Sequence, residues 1–455
     1  MNRTIKRALA LLLAAALLLA AAACKRTESG KDGEATANTA APAPTEPPKT
    51  DPFDLSLSVK VEHTFRDGDT HYLYGLFPDG QTGFYQSVQP GVLPELRDLE
   101  TGRITKITLG DYLKEDVEAM FRTAVVMNSK RYVADTAALE EKLASLNGLA
   151  IFTASPYALA MRFQPYGITS AQSDYLLLQD YNTGAGGMID PKTGTLWNNF
   201  RTEIGSFEAA SAYGSKILFS MRPLGAAILD VTDLSLAPIE GKDTGFRQKN
   251  ESAYCTSTAL TYLADGSIAA IVSEQTYENK ERTEQDWLFI VRADGSSEQY
   301  DIGTALLSGN YRIISADPNL VIAAPAVAGM TYPRLVNRST GEVTALKING
   351  FAIVSVPVSE VPDGSAGEGA IAFVDVLCDG RTMVVQDRNS GALALFRPDT
   401  MQTKLLLVLD EEVCYCMDFC GDHRGRLCTA SNRRDGLSER GLLLTIVDDS
   451  GNPVF

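Results

Sequence analysis

Two turn signatures recur along most of the chain, and a polypeptide punctuated in this way is built from repeated antiparallel hairpins. The first places Asp-Gly after an apolar run, at Phe77-Pro78-Asp79-Gly80, Leu263-Ala264-Asp265-Gly266, Arg292-Ala293-Asp294-Gly295 and Leu377-Cys378-Asp379-Gly380. The second opens on Asp or Asn and closes on Thr-Gly or Ser-Gly, from Asp98 to Gly102, Asp190 to Gly194, Asn337 to Gly341 and Asp387 to Gly391. In the longer turn the side-chain oxygen can accept from backbone amides two or three residues on, and the closing glycine takes a left-handed conformation without a Cβ clash. Between the turns lie short alternating or apolar runs with almost no sustained helical period, which argues for an all-β fold.

Grouped in fours, the strand-like runs give units at about 55 to 109, 149 to 200, 205 to 240, 253 to 303, 311 to 348, 368 to 409 and 413 to 455. The unit at 368 to 409 is the clearest, with AIAFVDVL, TMVVQD, ALALFRP and KLLLVL joined by CDGR, RNSG and DTMQ. Its pattern of Asp-Gly, strand, Asp-x-x-Ser-Gly, strand resembles the blades of WD40-type and quinoprotein-type β-propellers, without the Trp-Asp and Gly-His signatures of WD40 repeats proper. The resemblance implies a β-propeller of seven blades, with eight as the alternative count, over residues 53–455. The last unit stops at Asn452-Pro453-Val454-Phe455, too early to supply its own outer strand. Leu55 to Glu62 is therefore expected to pair with that blade, closing the ring and covering an edge. Residues 110–148 break the pattern: Leu113, Val117, Met120 and Phe121 share one helical face, Leu139, Leu143 and Leu146 another, with a hairpin from Val125 to Val133 between them. This stretch reads as a small mixed α/β insertion or a degenerate blade.

Ahead of the body stand Arg3, Lys6 and Arg7 and then an uncharged Ala/Leu run from Ala8 to Ala23. That is the layout of a signal peptide; at about 1.5 Å per residue the run falls short of a bilayer's hydrocarbon core. It ends in Ala21-Ala22-Ala23-Cys24, which resembles the lipobox of bacterial lipoproteins, with Ala21 where that family usually has Leu. The resemblance implies cleavage after residue 23 and lipid attachment at Cys24. The body would then be held outside the cytoplasm, on the outer face of the cell membrane or at an outer membrane. Residues 24–52 carry no aliphatic or aromatic side chain larger than Ala and include Pro42, Pro44, Pro47 and Pro48. They read as a tether that cannot bury enough apolar surface to order itself.

The formal charge is −16, and loss of the basic leader makes it more negative, so nucleic acid is not an expected partner. Chemistry is sparsely signalled. The three histidines, His63, His71 and His423, lack metal-ligand spacing, and His63 and His71 read as exposed residues flanking a turn. Hydrolase elbows, Walker loops and dinucleotide fingerprints are absent, and no cofactor is expected. Asp190 to Trp197 faintly resembles the Asp-box of sialidases, with a longer Asp-to-Gly spacing; it also reads as a turn followed by an aromatic strand residue. Cys414, Cys416, Cys420 and Cys428 form the densest cluster. They suit buried thiols, a Cys420–Cys428 disulfide across a hairpin, or a metal or redox site. Glu274 to Asp286 and residues 359–369 read as long polar loops of the kind that carry binding on a repeat scaffold.

The expected function is a monomeric envelope lipoprotein whose propeller acts as a non-enzymatic binding or scaffolding module for a protein or other envelope ligand. The alternative is an extracytoplasmic glycan hydrolase or lyase with its site at the propeller mouth.

Overall fold

The computed structural model describes residues 51–64, 69–87, 94–109, 164–165, 175–179, 186–198, 200–202, 205–222, 226–239, 253–278, 281–303, 311–325, 331–361, 371–409, 419–430 and 441–455. All lie within the compact unit Asp51–Phe455. The insertion expected at 110–148 and the lipidation site Cys24 fall outside the described residues.

The strands assemble into seven separate sheets of four or five, so the propeller has seven blades. Strand β1 (Leu57–His63) comes first in the chain. Blade one is β2 (His71–Leu76), β3 (Thr82–Ser87), β4 (Glu95–Asp98) and β5 (Ile104–Thr105). Blade two takes β6 (Thr108–Leu109) as its outermost strand, then β7 (Gln164–Pro165), β8 (Leu176–Gln179), β9 (Gly186–Ile189) and β10 (Thr195–Asn198). Blade three comprises β11 (Phe200–Thr202), β12 (Gly205–Tyr213), β13 (Lys216–Arg222), β14 (Ala226–Asp230) and β15 (Ser235–Ile239). Blade four has β16 (Ala253–Tyr262), β17 (Ile268–Glu278), β18 (Glu281–Val291) and β19 (Ser297–Gly303). Blade five holds β20 (Tyr311–Asp317), β21 (Leu320–Pro325), β22 (Arg334–Asn337), β23 (Glu342–Asn349) and β24 (Ala352–Pro357). Blade six is β25 (Ile371–Val376), β26 (Met383–Asp387), β27 (Ala392–Arg397) and β28 (Gln402–Val408). Blade seven combines β29 (Phe419–Gly421), β30 (Arg426–Ala430) and β31 (Gly441–Asp448) with β1.

The expected closure is present: β1 runs antiparallel to β31, from Leu57 opposite Asp448 to His63 opposite Leu442. The unit read at 149 to 200 differs in detail. Blade two recruits β6 in parallel with β10, and Phe200 leaves it to begin a hairpin on β12 of blade three. Gly194 permits the recruitment: a Cβ there would stand 2.3 Å from the Lys106 carbonyl oxygen, and its φ is +70°.

The turns form as their chemistry dictates. In the Asp-Gly type the Asp79 carboxylate accepts from Gln81 N and Thr82 N, and Asp379 accepts from Arg381 N and Thr382 N, all at 2.9 Å. In the longer type the closing amide returns to the opening carbonyl, Gly102 to Asp98 at 2.9 Å and Gly341 to Asn337 at 2.8 Å. Nearly all of these tight turns sit at one end of the propeller, because they join first to second or third to fourth strands, and alternate strands are antiparallel. Asp387 to Gly391 is the exception. It joins the second and third strands of blade six and so lies at the opposite end, here termed the loop end.

Apolar side chains fill the seams between blades in place of one central core. Leu260 and Ile268 pack with Leu218 and Ala226 between blades three and four. Leu288, Ile290, Ile313 and Val321 fill the seam between four and five, and Phe373, Met383 and Phe396 meet Ile322 and Leu335 between five and six. Each large side chain so buried contributes about 1.5–3 kcal/mol. Polar contacts pin several seams at the turn end. Ser211 Oγ accepts from Tyr262 N at 3.1 Å. Arg338 of blade five spans both oxygens of Glu298 in blade four at 2.9 Å and reaches Asp265 at 3.1 Å.

The folded body starts at Asp51, whose carboxylate meets Arg397 Nη1 at 2.7 Å. Lys404 Nζ donates to the carbonyls of Phe53 and Leu55, and the Arg397 guanidinium lies 4.6 Å from the Phe53 ring centroid. This strap lies across blade six before β1 enters blade seven from the turn end.

Two outcomes follow. A chain beginning at Thr64 leaves β31 as a bare edge; light scattering should show aggregation or a species that lacks the cooperative melt of the full body. Arg338→Ala should destabilise the protein by about 1–2 kcal/mol in denaturant melts, since it removes a bidentate charged contact across the seam while Glu298 keeps the Tyr300 hydroxyl and Arg292. The Arg338 hydrogen bonds, opposed by burial, hold the Glu298 carboxyl down at about 2. Its stabilising share is present above the ordinary glutamate range and is lost as pH falls through about 2. The stability gap between wild type and Glu298→Gln should accordingly narrow on acidification.

Candidate binding face

The two ends of the propeller differ in construction. At the turn end the hairpins are short and pinned across seams. At the loop end, extra strands and a long ribbon stand out. In blade four β17 and β18 are both 11 residues long and pair without interruption from Ile268 opposite Val291 to Glu278 opposite Glu281. On one side β19 reaches only to Asp286, while on the other β16 stays paired with β17 as far as Ala253 opposite Thr276, so the sheet is three strands wide almost to the tip. The segment read as a loop from Glu274 to Asp286 is therefore a β-ribbon. Its polar composition hid the pairing, since charged residues are depleted in strands even where Thr and Tyr favour them.

At the ribbon's base, Asp286 is fully buried. Ser273 Oγ donates to one of its oxygens and Tyr311 OH to the other, the second at 3.0 Å. Burial, reinforced by the Asp286 charge and this hydrogen bond, pushes the Tyr311 phenol well above its usual range. Tyr311 therefore stays a donor. An aspartate whose two oxygens both receive hydroxyl protons is occupied as an acceptor, and it fixes the ribbon of blade four to the first strand of blade five.

The histidines go to separate places. His63 ends β1 in blade seven, whereas His71 starts β2 in blade one, so the two do not share a hairpin. His71 is buried rather than exposed, with Nδ1 3.1 Å from Thr70 Oγ1 and Nε2 3.6 Å from Glu95. His423, unpromising in the sequence, forms a buried pair with Asp375 of blade six. That carboxylate accepts from the His423 backbone amide at 3.0 Å and lies 2.5 Å from ring Nδ1. Burial opposes protonation of the ring, but the charge and hydrogen bond of Asp375, with Asp422 behind, outweigh it and hold the His423 pKa above its ordinary value. The carboxylate rests against the Gly421 backbone, where a Cβ would come within 1.9 Å of Asp375 Oδ2. At 4% exposure the imidazole is closed to substrates, so the dyad joins blades six and seven. The sequence signal for it was Asp375 itself, a lone carboxylate inside the apolar run FVDVL.

Cys420 and Cys428 stand directly opposite each other on β29 and β30. Both are buried free thiols. Their sulfurs donate to the Leu76 and Leu73 carbonyls of blade one, at 3.4 and 3.5 Å. Burial pushes the Cys420 thiol up to about 12 and the Cys428 thiol well above its usual value. The side chains of Cys414 and Cys416 lie outside the described residues. Among the described residues no three His, Cys, Asp or Glu side chains gather as a metal centre requires. Asp190 caps a turn, with its carboxylate accepting from Lys192 N at 2.8 Å. Trp197 beyond it packs into the seam between blades two and three, as a turn followed by an aromatic strand residue should. Of the segment at 359–369, the described part is the end of a short 3-10 turn, Val358–Glu360, and Val361.

No protein-family model matches this chain, and no curated protein matches it in sequence. Solved propellers do resemble it. The WD40 β-propeller domain of Doa1 aligns at 9% identity and a TM-score of 0.41, over 86% of this chain and 98% of that one. The β-propeller domain of Cps50 (Swd1) from Myceliophteria thermophila aligns at 11% and 0.39, over 84% and 99%. A luciferin-regenerating enzyme aligns at 12% and 0.35, over 60% and 88%. At such identities and scores the likeness assigns neither a ligand nor an activity.

The opposed pair of cysteines yields a direct measurement. If the thiols remain as donors to blade one, titration of the denatured chain should find all six cysteines that follow Cys24 reactive. Four would mean one disulfide, and restoration of no further thiol on reduction of a Cys420→Ser, Cys428→Ser variant would assign it to that pair.

Proposed function

We propose that this chain is a lipid-anchored envelope protein whose propeller is a non-enzymatic binding module, with the loop end as its working surface. The observation that carries the reading is the contrast between the two ends. The turn end is spent on short hairpins and seam-spanning ion pairs, whereas the loop end carries the long β17–β18 hairpin of blade four and the β23–β24 hairpin of blade five with exposed Phe351. Surfaces built on the connections of a rigid repeat scaffold are where recognition concentrates. The attachment of the N-terminal strap fits this division. Asp51 enters at the turn end, so a chain anchored upstream of it is tied to the end opposite the proposed surface. The leader, the small residues before Cys24 and the Pro/Ala/Thr-rich segment after it support an anchor of that kind.

Replacing Cys24 with Ala tests the anchor. Release of the body from the membrane fraction is expected, and continued retention with an uncut leader would overturn lipidation. For the binding role, crosslinking of the full-length protein in intact cells followed by membrane pull-down should recover the same partner across replicates. Repeated recovery of none, together with turnover in a glycan hydrolase and lyase screen, would replace this reading with an enzymatic one.

A further inference from the structure

Asp375 occupies a seat that can be compared between blades. The first strands of blades one, three, four and six each skip one residue against the second strand, and the residue just past the skip is Gly75, Ser211, Ala259 and Asp375 in turn. Ser211 serves there as a neutral clasp, its Oγ accepting from Tyr262 N of the next blade at 3.1 Å. Among these four, blade six alone seats a titratable group, and blade seven meets it with a second one. His423 is held from blade six at three points: ring Nδ1 lies 2.5 Å from Asp375, the backbone amide donates to the same carboxylate at 3.0 Å, and the carbonyl accepts from Cys378 N at 2.6 Å. The grip keeps it at φ +60°, a left-handed conformation that a residue with a side chain adopts only where its surroundings impose it. Nε2 is buried and has no hydrogen-bond partner. With Nδ1 turned to the carboxylate, Nε2 is the nitrogen that gains or loses the proton as the ring titrates, and water reaches it only when the seam parts.

We propose that His423 Nε2 is the proton-binding site of a latch between blades six and seven: a proton there turns the bond to Asp375 into an ion pair and holds the seam shut, and its loss leaves a hydrogen bond from an uncharged ring and a seam that parts more readily. The surroundings favour the proton. From blade six Asp375 faces the ring, while Cys378 meets His423 through its backbone and has an exposed side chain. From its own hairpin Asp422 stands behind, accepting from Arg424 N at 2.8 Å and from Arg426 Nε at 2.6 Å. Both arginines reach to blade one, Arg426 to the Gly80 carbonyl and Arg424 to pack on Gly80 itself, and the Cys420 thiol donates to the Leu76 carbonyl there. Burial opposes the charge, but Asp375, by charge and hydrogen bond, and Asp422 outweigh it and hold the pKa above its ordinary value. The latch therefore contributes fully below the ordinary histidine range, and its contribution is lost as pH rises through the raised value. The role goes beyond the binding-module reading and is independent of any ligand at the loop end.

The test is a pH series on the full mature chain with 15N-labelled histidine, read by NMR, with His63→Gln and His71→Gln assigning the rings by elimination. His423 should show separate protonated and neutral signals, because its proton exchanges only through seam opening, with a midpoint above the ordinary value. Exposed His63 should move as one averaged signal. Asp375→Asn keeps an acceptor oxygen for the ring and amide but removes the charge, and should lower the midpoint. In denaturant melts from about pH 6 to about pH 9, the stability advantage of wild type over His423→Gln should shrink as pH rises, whereas a purely structural contact would keep it constant. Should His423→Gln not fold, the wild-type and Asp375→Asn midpoints decide. A ring that stays neutral throughout, an averaged signal like that of His63, a midpoint unmoved by Asp375→Asn, or an advantage independent of pH overturns the proposal.

Discussion

The pairing of β1 with β31 is the contact on which the rest of the molecule depends. A ring of separate sheets is held by side-chain packing between blades, and each blade needs neighbours on both sides to bury its two faces. Without β1, blade seven would be left with three strands and with an unpaired edge at the place where the ring must join. The antiparallel register from Leu57 opposite Asp448 to His63 opposite Leu442 supplies the missing strand from the far end of the chain. The strap ahead of it, held by Arg397 and Lys404, ties that strand to blade six as well. One N-terminal segment thus fastens two blades, and closure covers backbone groups that would otherwise pair with another molecule.

From closure follows the division of labour between the ends. The chain must reverse direction at both ends of every blade, but the reversals need not be alike. Tight turns capped by Asp or Asn side chains at the turn end bring charged and polar groups of adjacent blades within reach of one another. Arg338 meets Glu298, and His423 meets Asp375. These contacts stiffen the turn end and leave the other end free to vary. There lie the long β17–β18 hairpin of blade four and the β23–β24 hairpin of blade five, with exposed Phe351. Asp387 to Gly391 is informative because it is a tight turn placed at the loop end.

Legibility in the sequence followed the range of the interaction. The hairpin turns are local, because their hydrogen bonds join residues two to four positions apart, so Asp79, Asp98, Asn337 and Asp379 announced themselves. The body-wide repeat and the need for an added outer strand could be inferred from them. The buried polar pairs could not. Asp375 and His423 are far apart in sequence and belong to different blades, and nothing in the Gly421-Asp422-His423-Arg424-Gly425 turn names its partner. Asp286, Ser273 and Tyr311 were hidden for the same reason, and the hairpin that carries two of them reads as a loop because its sequence is rich in charged and polar residues.

The sequence by itself determined the all-β class, the repeated hairpin, the closing role of Leu55 to Glu62 and the net acidity, since each depends on local turn geometry, strand alternation or composition. Only the tertiary structure decided that the blades number seven, that His71 and His423 are buried, that Cys420 opposes Cys428, and that Asp375 meets His423 across two blades. Each of these depends on which strands become neighbours when the ring closes. That is a property of packing between distant segments, and no single segment encodes it.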